Sequence, residues 1–272
     1  MSGSTHTEQC ELALSTPTGR ITTSVEVPMG FVPITAIVPL GRQLAVQAQQ
    51  LEIDALEQAG ERVSCREGCA ACCRMLVPLS VPEVFHLQEA VRALPEDARG
   101  RLHARLAQTT MALTKAGLLS QLRSLADTDR PLSDAELEPL NHAYYALRLP
   151  CPYLEAERCT IYEQRPAACR DLLVTSPPEW CNDMEKNLVK AVPIGLRLST
   201  ALGLLWASHR QEAPRLVPLP IALDWAASHD SLRSTGGPGT TILETFMDRL
   251  WRLLSQDFAA RGVSPETPRP QA

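Results

Sequence analysis

The spacing of hydrophobic and polar positions changes several times along the chain, and each change predicts an element. In residues 10–27, CELALSTPTGRITTSVEV, two β-rich runs flank Thr16-Pro17-Thr18-Gly19. That arrangement predicts a β-hairpin. Residues 28–40 are punctuated by prolines and predict extended chain. From Gly41 to Arg62, the residues Leu44, Val46, Ala48, Leu51, Ile53 and Leu56 recur among Gln and Glu, a helical pattern. A second helix is predicted from about 81 to 93, where Ser80 and Glu83 have capping-box spacing and Pro82 falls in the first turn. Further helical patterns run from Pro95 to about 126, from Ser133 or Asp134 to about 146, from about 184 to 211 with a disturbance at Pro193, and from about 240 to 260. Segment 150–182 lacks long periodicity and predicts loops with short helices. Gly236-Gly237-Pro238-Gly239 follows no predicted strand and reads as a linker. The expected fold is therefore mainly α, a helical domain with an N-terminal β-hairpin and a cysteine-rich metal-binding loop region. Residues 1–40 form the hairpin and extended segment and 41–261 the helical domain. The polar, proline-rich 262–272 forms a disordered tail.

Composition supports that picture. Of 272 residues 44% are hydrophobic but only 4% aromatic, so the core must rest on Leu, Ala and Val, which favours helices. The formal net charge of −5 supplies no basic field for a nucleic acid. The N-terminus lacks the basic start and apolar run of a secretory leader. The best candidate span, AVPIGLRLSTALGLLWA at 191–207, is short and carries Arg197, so no membrane contact is expected. A cytoplasmic location follows, where thiols stay reduced and clustered cysteines read as metal or redox sites.

Nine cysteines carry the chemistry. Cys10 stands alone and reads as an incidental thiol. Cys65, Cys69, Cys72 and Cys73 fall within nine residues as C-x3-C-x2-C-C, while Cys151, Cys159, Cys169 and Cys181 spread through the loop-rich segment. Packing does not ask for four cysteines in so short a run. Zinc and iron–sulfur centres do, because they need thiolates about 2.3 Å from the metal. Spacings of three and four bring sulfurs together in a knuckle loop or on one helix face. Gly68 permits the loop, and Ala70 and Ala71 leave it uncrowded. Adjacent side chains diverge, so Cys72 and Cys73 are expected to address two positions, one closing the local site and one facing the second set. Ligands from 151–181 then complete that site or build a second. Arg66, Arg74, Arg158, Arg165 and Arg170 flank the thiols, and are expected to offset an anionic centre and lower thiol pKa values. C-x3-C-x2-C is also a radical S-adenosylmethionine spacing, but no strand–helix alternation accompanies it. All-cysteine ligation suits zinc and iron alike. Trp206, Trp225 and Trp251 are expected in the helical core.

The second set stands in a longer pattern. It reads Cys151-Pro152-Tyr153-Leu154, then Cys159-Thr160-Ile161-Tyr162-Glu163-Gln164-Arg165-Pro166-Ala167-Ala168-Cys169-Arg170. Together with the first cluster it resembles the YkgJ-type cysteine-cluster family, the zinc- or iron-chelating CxxCxxCC domain. The resemblance spans about 65–181, with a helical insertion at about 95–146. The first cluster here opens with three spacer residues rather than two. The resemblance implies a metal-binding protein that holds zinc or an iron–sulfur cluster, 4Fe–4S among the forms. Its ligands would come from Cys65, Cys69, Cys72, Cys73, Cys151, Cys159, Cys169 and Cys181, with Tyr162, Arg165 and Arg170 in support. Flagellin lysine N-methylases are distant relatives with the same cysteine cluster. They imply an alternative, a methylase-like or other iron–sulfur enzyme acting on a protein substrate, beside a module that docks a protein partner. No strand followed by a Gly-rich loop and helix is present to hold S-adenosylmethionine, so the methylase reading is an analogy.

Overall fold

The N-terminal alternation folds into the expected hairpin. β1 (Thr7–Thr16) and β2 (Gly19–Pro28) pair antiparallel without a break, from Thr7↔Pro28 to Thr16↔Gly19, and Pro17-Thr18 form the turn. Leu14, Ile21 and Val27 are its buried contribution to the core. The structure is a computed structural model and describes residues 6–184 and 186–264.

β3 (Phe31–Pro33) and a 3-10 turn at Ile34–Ile37 lead into α1 (Val38–Gln58). This helix begins before the predicted Gly41 because Pro39 lies in its first turn, where a missing N–H is no loss. Short β4 (Pro78–Leu79) precedes α2 (Val81–Arg92), whose capping box forms: Ser80 N–H and Oγ–H donate to Glu83 Oε2 at 3.1 and 2.8 Å. The predicted helix 95–126 is two helices, α3 (Glu96–Lys115) and α4 (Leu119–Ala126), separated at Gly117 with φ of +71°. α5 (Asp134–Ala146) starts on a second capping box, Ser133 with Glu136.

The loop-rich expectation holds for 150–182, where β5 (Leu154–Glu155), β6 (Arg158–Cys159) and the single-turn α6 (Ala167–Asp171) are the regular pieces besides 3-10 turns. The predicted helix at 184–211 is corrected to α7 (Leu198–Arg210). Upstream the backbone pairs with the loop region instead: Thr175 N–H donates to Lys190 O at 2.9 Å and Val192 N–H to Leu173 O at 2.8 Å. Gly195 passes so close to α1 that a Cβ there would lie 2.5 Å from Ala48 O.

β7 (Val217–Pro218) pairs with β4, and α8 (Ala222–Ser228) was not anticipated. The supposed linker at 236–239 is also corrected. Gly236–Pro238 is a strand, β8, paired antiparallel with β3, and α9 (Gly239–Arg261) follows directly. Glycine hid this strand, yet the pairing requires it, since a Cβ at Gly236 would sit 2.1 Å from Val32 O.

One cluster of buried side chains runs from Leu14 in β1 to Phe258 in α9. At its centre the Phe85 ring lies 6.3 Å from Trp206 and 6.0 Å from Trp225. Trp251 is not part of that centre, being 42% exposed. Glu52, buried in α1, accepts hydrogen bonds from Thr18 and Arg261, tying hairpin and α9 together. Among the described residues no helix is long and apolar enough to cross a membrane. The expected disordered tail lies, from residue 265 on, outside the described residues.

Candidate metal centre

The first cysteine segment is neither helix nor strand. It is a series of tight turns, in which Cys69 N–H donates to Arg66 O at 3.0 Å, Cys73 N–H to Ala70 O at 3.0 Å and Met75 N–H to Cys72 O at 3.1 Å. Gly68, at φ +82°, supplies the left-handed residue that the first turn needs. Both ends of the segment are anchored. Ser64 N–H donates to Val174 O at 2.9 Å, and Leu219 N–H to Val77 O at 2.9 Å.

The second segment is fastened directly to the first, because Cys151 N–H donates to Cys73 O at 2.8 Å. The β5–β6 ribbon then turns through Ala156 (φ 49°) and Glu157 (φ 59°), two left-handed residues in a two-residue loop. Arg74 grips that loop with both terminal nitrogens on the Glu157 carboxylate, at 2.9 and 3.0 Å. The ribbon delivers Cys159. α6 delivers Cys169, and its first turn is held by Glu83, whose Oε1 accepts from Ala167 N–H at 2.8 Å. The same carboxylate accepts from Ser199 Oγ at 2.7 Å. Cys181 sits in a 3-10 turn, Pro178–Asn182, under Tyr145, whose hydroxyl donates to Cys181 O at 3.4 Å.

Cys69, Cys72, Cys73, Cys151, Cys159 and Cys169 line a single cavity of about 290 Å³. Sulfurs from half-sites far apart in sequence thus face one space. Cys65 and Cys181 do not line it but lie within electrostatic reach of Cys69 and Cys72. Cys10 stays in β1, half-buried. Among the described residues no three Cys, His, Asp or Glu side chains are gathered closely enough to hold one metal ion.

Electrostatics sets the adjacent thiols apart: their mutual interaction is the main reason Cys72 falls to about 7 and Cys73 rises far above an ordinary thiol. The flanking arginines act to lower the thiols, as expected, but burial outweighs them at most positions. Burial dominates, pushing Cys151 up to about 12 and Cys181 up to about 11, and raising Cys65, Cys159 and Cys169 as well. Arg165 opposes this at Cys65, Cys72, Cys159 and Cys169, and Arg74 at Cys72. Sequence reasoning missed Arg105. This α3 residue donates from Nε to Pro152 O at 2.8 Å and counters the rise at Cys151. No motif spacing could have brought it forward from the helical insertion.

Tyr162 and Arg165 both line the cavity, with the Arg165 guanidinium 3.7 Å above the Tyr162 ring. Arg170 donates to the backbone oxygens of Arg165 and Glu163 and lines a neighbouring cleft with Arg42 and His86, while still countering the rise at Cys159. A further group was not singled out from the sequence. Tyr153 is fully buried on the cavity wall, and its hydroxyl has no hydrogen-bond partner. Cys151 and Cys159 are the ionisable neighbours that act on it.

These residues fit a thiolate-bound metal. The donor set is all sulfur, Arg165 stands on the cavity wall, and the buried, unpartnered Tyr153 hydroxyl has Cys151 and Cys159 as neighbours, either of which as a thiolate could accept a hydrogen bond from it. A fold of this kind, a helical scaffold presenting cysteine-rich loops to one cavity, defines a metal-chelating protein. The comparison with known families agrees in part: residues 64–186 match the family model CxxCxxCC, described as "Putative zinc- or iron-chelating domain". No curated protein and no solved structure matches the chain.

Proposed function

We propose that the chain chelates its metal as an iron–sulfur cluster set between the two cysteine half-sites. One observation carries this choice over zinc. The thiols surround a cavity of about 290 Å³ and no three of them gather around a point. A tetrahedral zinc would need its sulfurs about 3.8 Å from one another, the separation that follows from 2.3 Å bonds. A cluster binds each thiolate to a different iron and so takes sulfurs that stand further apart. When bound, it would supply either one-electron chemistry or a staple between the half-sites. The protein's part is to offset negative charge with Arg165 and Arg74, donate a hydrogen bond from Tyr153, and exclude water with Leu76, Ile161 and Leu172.

The test is anaerobic purification followed by elemental analysis, acid-labile sulfide determination and an optical spectrum on one sample. Iron with sulfide and broad visible absorption is expected. Zinc alone, without a visible band, would refute the cluster and leave chelation standing. Freshly made protein that takes up neither metal would refute both.

A further inference from the structure

The cleft shared by Arg42 and Arg170 carries chemistry that chelation does not use. It encloses about 390 Å³. α1 contributes Arg42 and, one turn further on, Val46; α2 contributes His86; the 3-10 turn before α6 contributes Glu163 and Gln164; and Arg170 comes from α6 itself. Arg42 is buried, with 7% exposure. Its Nη1 donates to Gln164 Oε1 at 2.7 Å and its Nη2 to Gln164 O at 3.2 Å, while the buried Nε–H has no partner. Arg170 donates to backbone oxygens alone, those of Arg165 and Glu163. A guanidinium carries five N–H donors, so both forks keep donors to spare.

Neither arginine forms an ion pair among the described residues, whereas Arg74, Arg197 and Arg261 each meet a carboxylate. The two cations act on each other instead. Burial first, and the Arg170 charge with it, draw Arg42 down to about 10 against the pull of Glu83. The carboxylates in reach leave the charge open. Glu83 commits its oxygens to Ser80, Ala167 and Ser199. Asp171 acts on Arg170 but does not line the cleft. Glu163 lines it, yet is exposed and meets Arg170 through its backbone oxygen. Buried cations are ordinarily paired, and facing guanidinium groups with free donors are the arrangement that an oxyanion completes.

We propose that this cleft binds a small molecule through an oxyanion group, a phosphate or a carboxylate, held between Arg42 and Arg170. The space exceeds what a bare oxyanion fills, and Val46 offers the remainder of the molecule an apolar contact. The site lies beside the metal centre. Gln164 and Arg170 belong to the same stretch as Tyr162, Arg165 and Cys169, which line the cysteine cavity. The assignment goes beyond chelation and does not depend on a bound metal.

The experiment is calorimetric titration of the full chain with inorganic phosphate and, separately, with succinate, in a buffer free of both. At least one should bind with a dissociation constant below about 1 mM, and the tighter of the two tells a phosphate-bearing from a carboxylate-bearing ligand. Arg42→Gln and Arg170→Gln should each weaken that binding about tenfold or more. Val46 is 51% exposed, so substitutions there leave the fold intact and keep the test independent of the buried arginine. Val46→Glu should weaken binding and Val46→Lys strengthen it. Arg123→Gln, at an exposed position on α4, should change nothing. Constants above about 1 mM for both anions would overturn the assignment. So would binding that the Arg42, Arg170 and Val46 variants leave unchanged, which would place the anion elsewhere, the metal cavity included. Either failure leaves chelation standing, since that rests on metal content.

Discussion

Replacing Tyr153 by Phe should change stability in opposite directions with and without metal. Tyr153 has no solvent exposure, and its hydroxyl is buried without a partner. A hydroxyl taken from water without a hydrogen bond costs roughly 1–3 kcal/mol. The ring itself is well packed, so Tyr153→Phe removes the unpaired group and leaves a void of one oxygen atom. Metal-free protein should therefore gain about 1–2 kcal/mol. Cys151 and Cys159 are the neighbours that act on this hydroxyl. Once either is a metal-bound thiolate, the O–H has a charged acceptor, an interaction of about 1.5–3 kcal/mol that the variant cannot make. The variant should then bind metal roughly ten to 140 times more weakly, at about 1.4 kcal/mol for each tenfold. Guanidinium denaturation of the metal-free proteins measures the first quantity, and competition against a chelator the second. A variant that destabilises the metal-free protein by more than 1 kcal/mol, or that binds metal with unchanged affinity, would refute the reasoning.

Glu83→Ala strips the acceptor from Ser80, Ala167 and Ser199 at once, and should cost about 3–5 kcal/mol in thermal or chemical unfolding, with Glu83→Gln losing clearly less. Ala156→Gly should stabilise by about 1 kcal/mol, since an alanine at φ 49° is strained where glycine is not; an unchanged midpoint would count against that strain. Gly236→Ala should cost about 3 kcal/mol, because its Cβ would meet Val32 O at 2.1 Å and part β8 from β3. The His86 ring is held below the usual histidine value by burial first and then by Arg42. The folded state thus binds that proton less readily than the unfolded one. The contribution of His86 is present above about pH 6.5 and is lost as pH falls, so His86→Gln should flatten the stability profile between about pH 7 and 5. An unflattened profile would assign the acid sensitivity elsewhere.

The hairpin and the first capping box were legible because each rests on residues close in sequence, Pro17-Thr18 within its alternating flanks and Ser80 with Glu83; for α5 the sequence leaves Ser133 or Asp134 as the start, and the box of Ser133 with Glu136 decides it. The break at Gly117 was carried by one glycine inside a strong helical pattern, and the pattern masked it. β8 was illegible for a different reason. Its glycines remove every strand signal, and they are explained by the closeness of Val32 to Gly236 and of His209 to Gly237. Segment 184–197 reads as helix, yet Lys190 and Val192 pair their backbone groups with Thr175 and Leu173, a long-range pairing that local propensity does not register. For the metal centre the clusters of cysteines were plain in the sequence. The contacts that bring the two segments together were not, because they depend on the Cys73–Cys151 hydrogen bond and on the hold of Glu83 on α6.

The thiols stand on irregular backbone, which of itself holds geometry poorly, so the accuracy of the centre must come from its ties to the helices. Glu83 is the most economical of these. The residue that caps α2 also receives α6, which carries Cys169, and Ser199 at the start of α7. Arg105 anchors Pro152 from α3, and Ser64 anchors the entry of the first segment to Val174 and Ser176. Each tie bridges a loop to an element or segment distant in sequence, so each transmits the packing of the scaffold to the thiols. The helical insertion between the two cysteine segments then has a structural role at the site. It supplies the α3 face that fixes Pro152, and through Pro152 the position of Cys151 against Cys73.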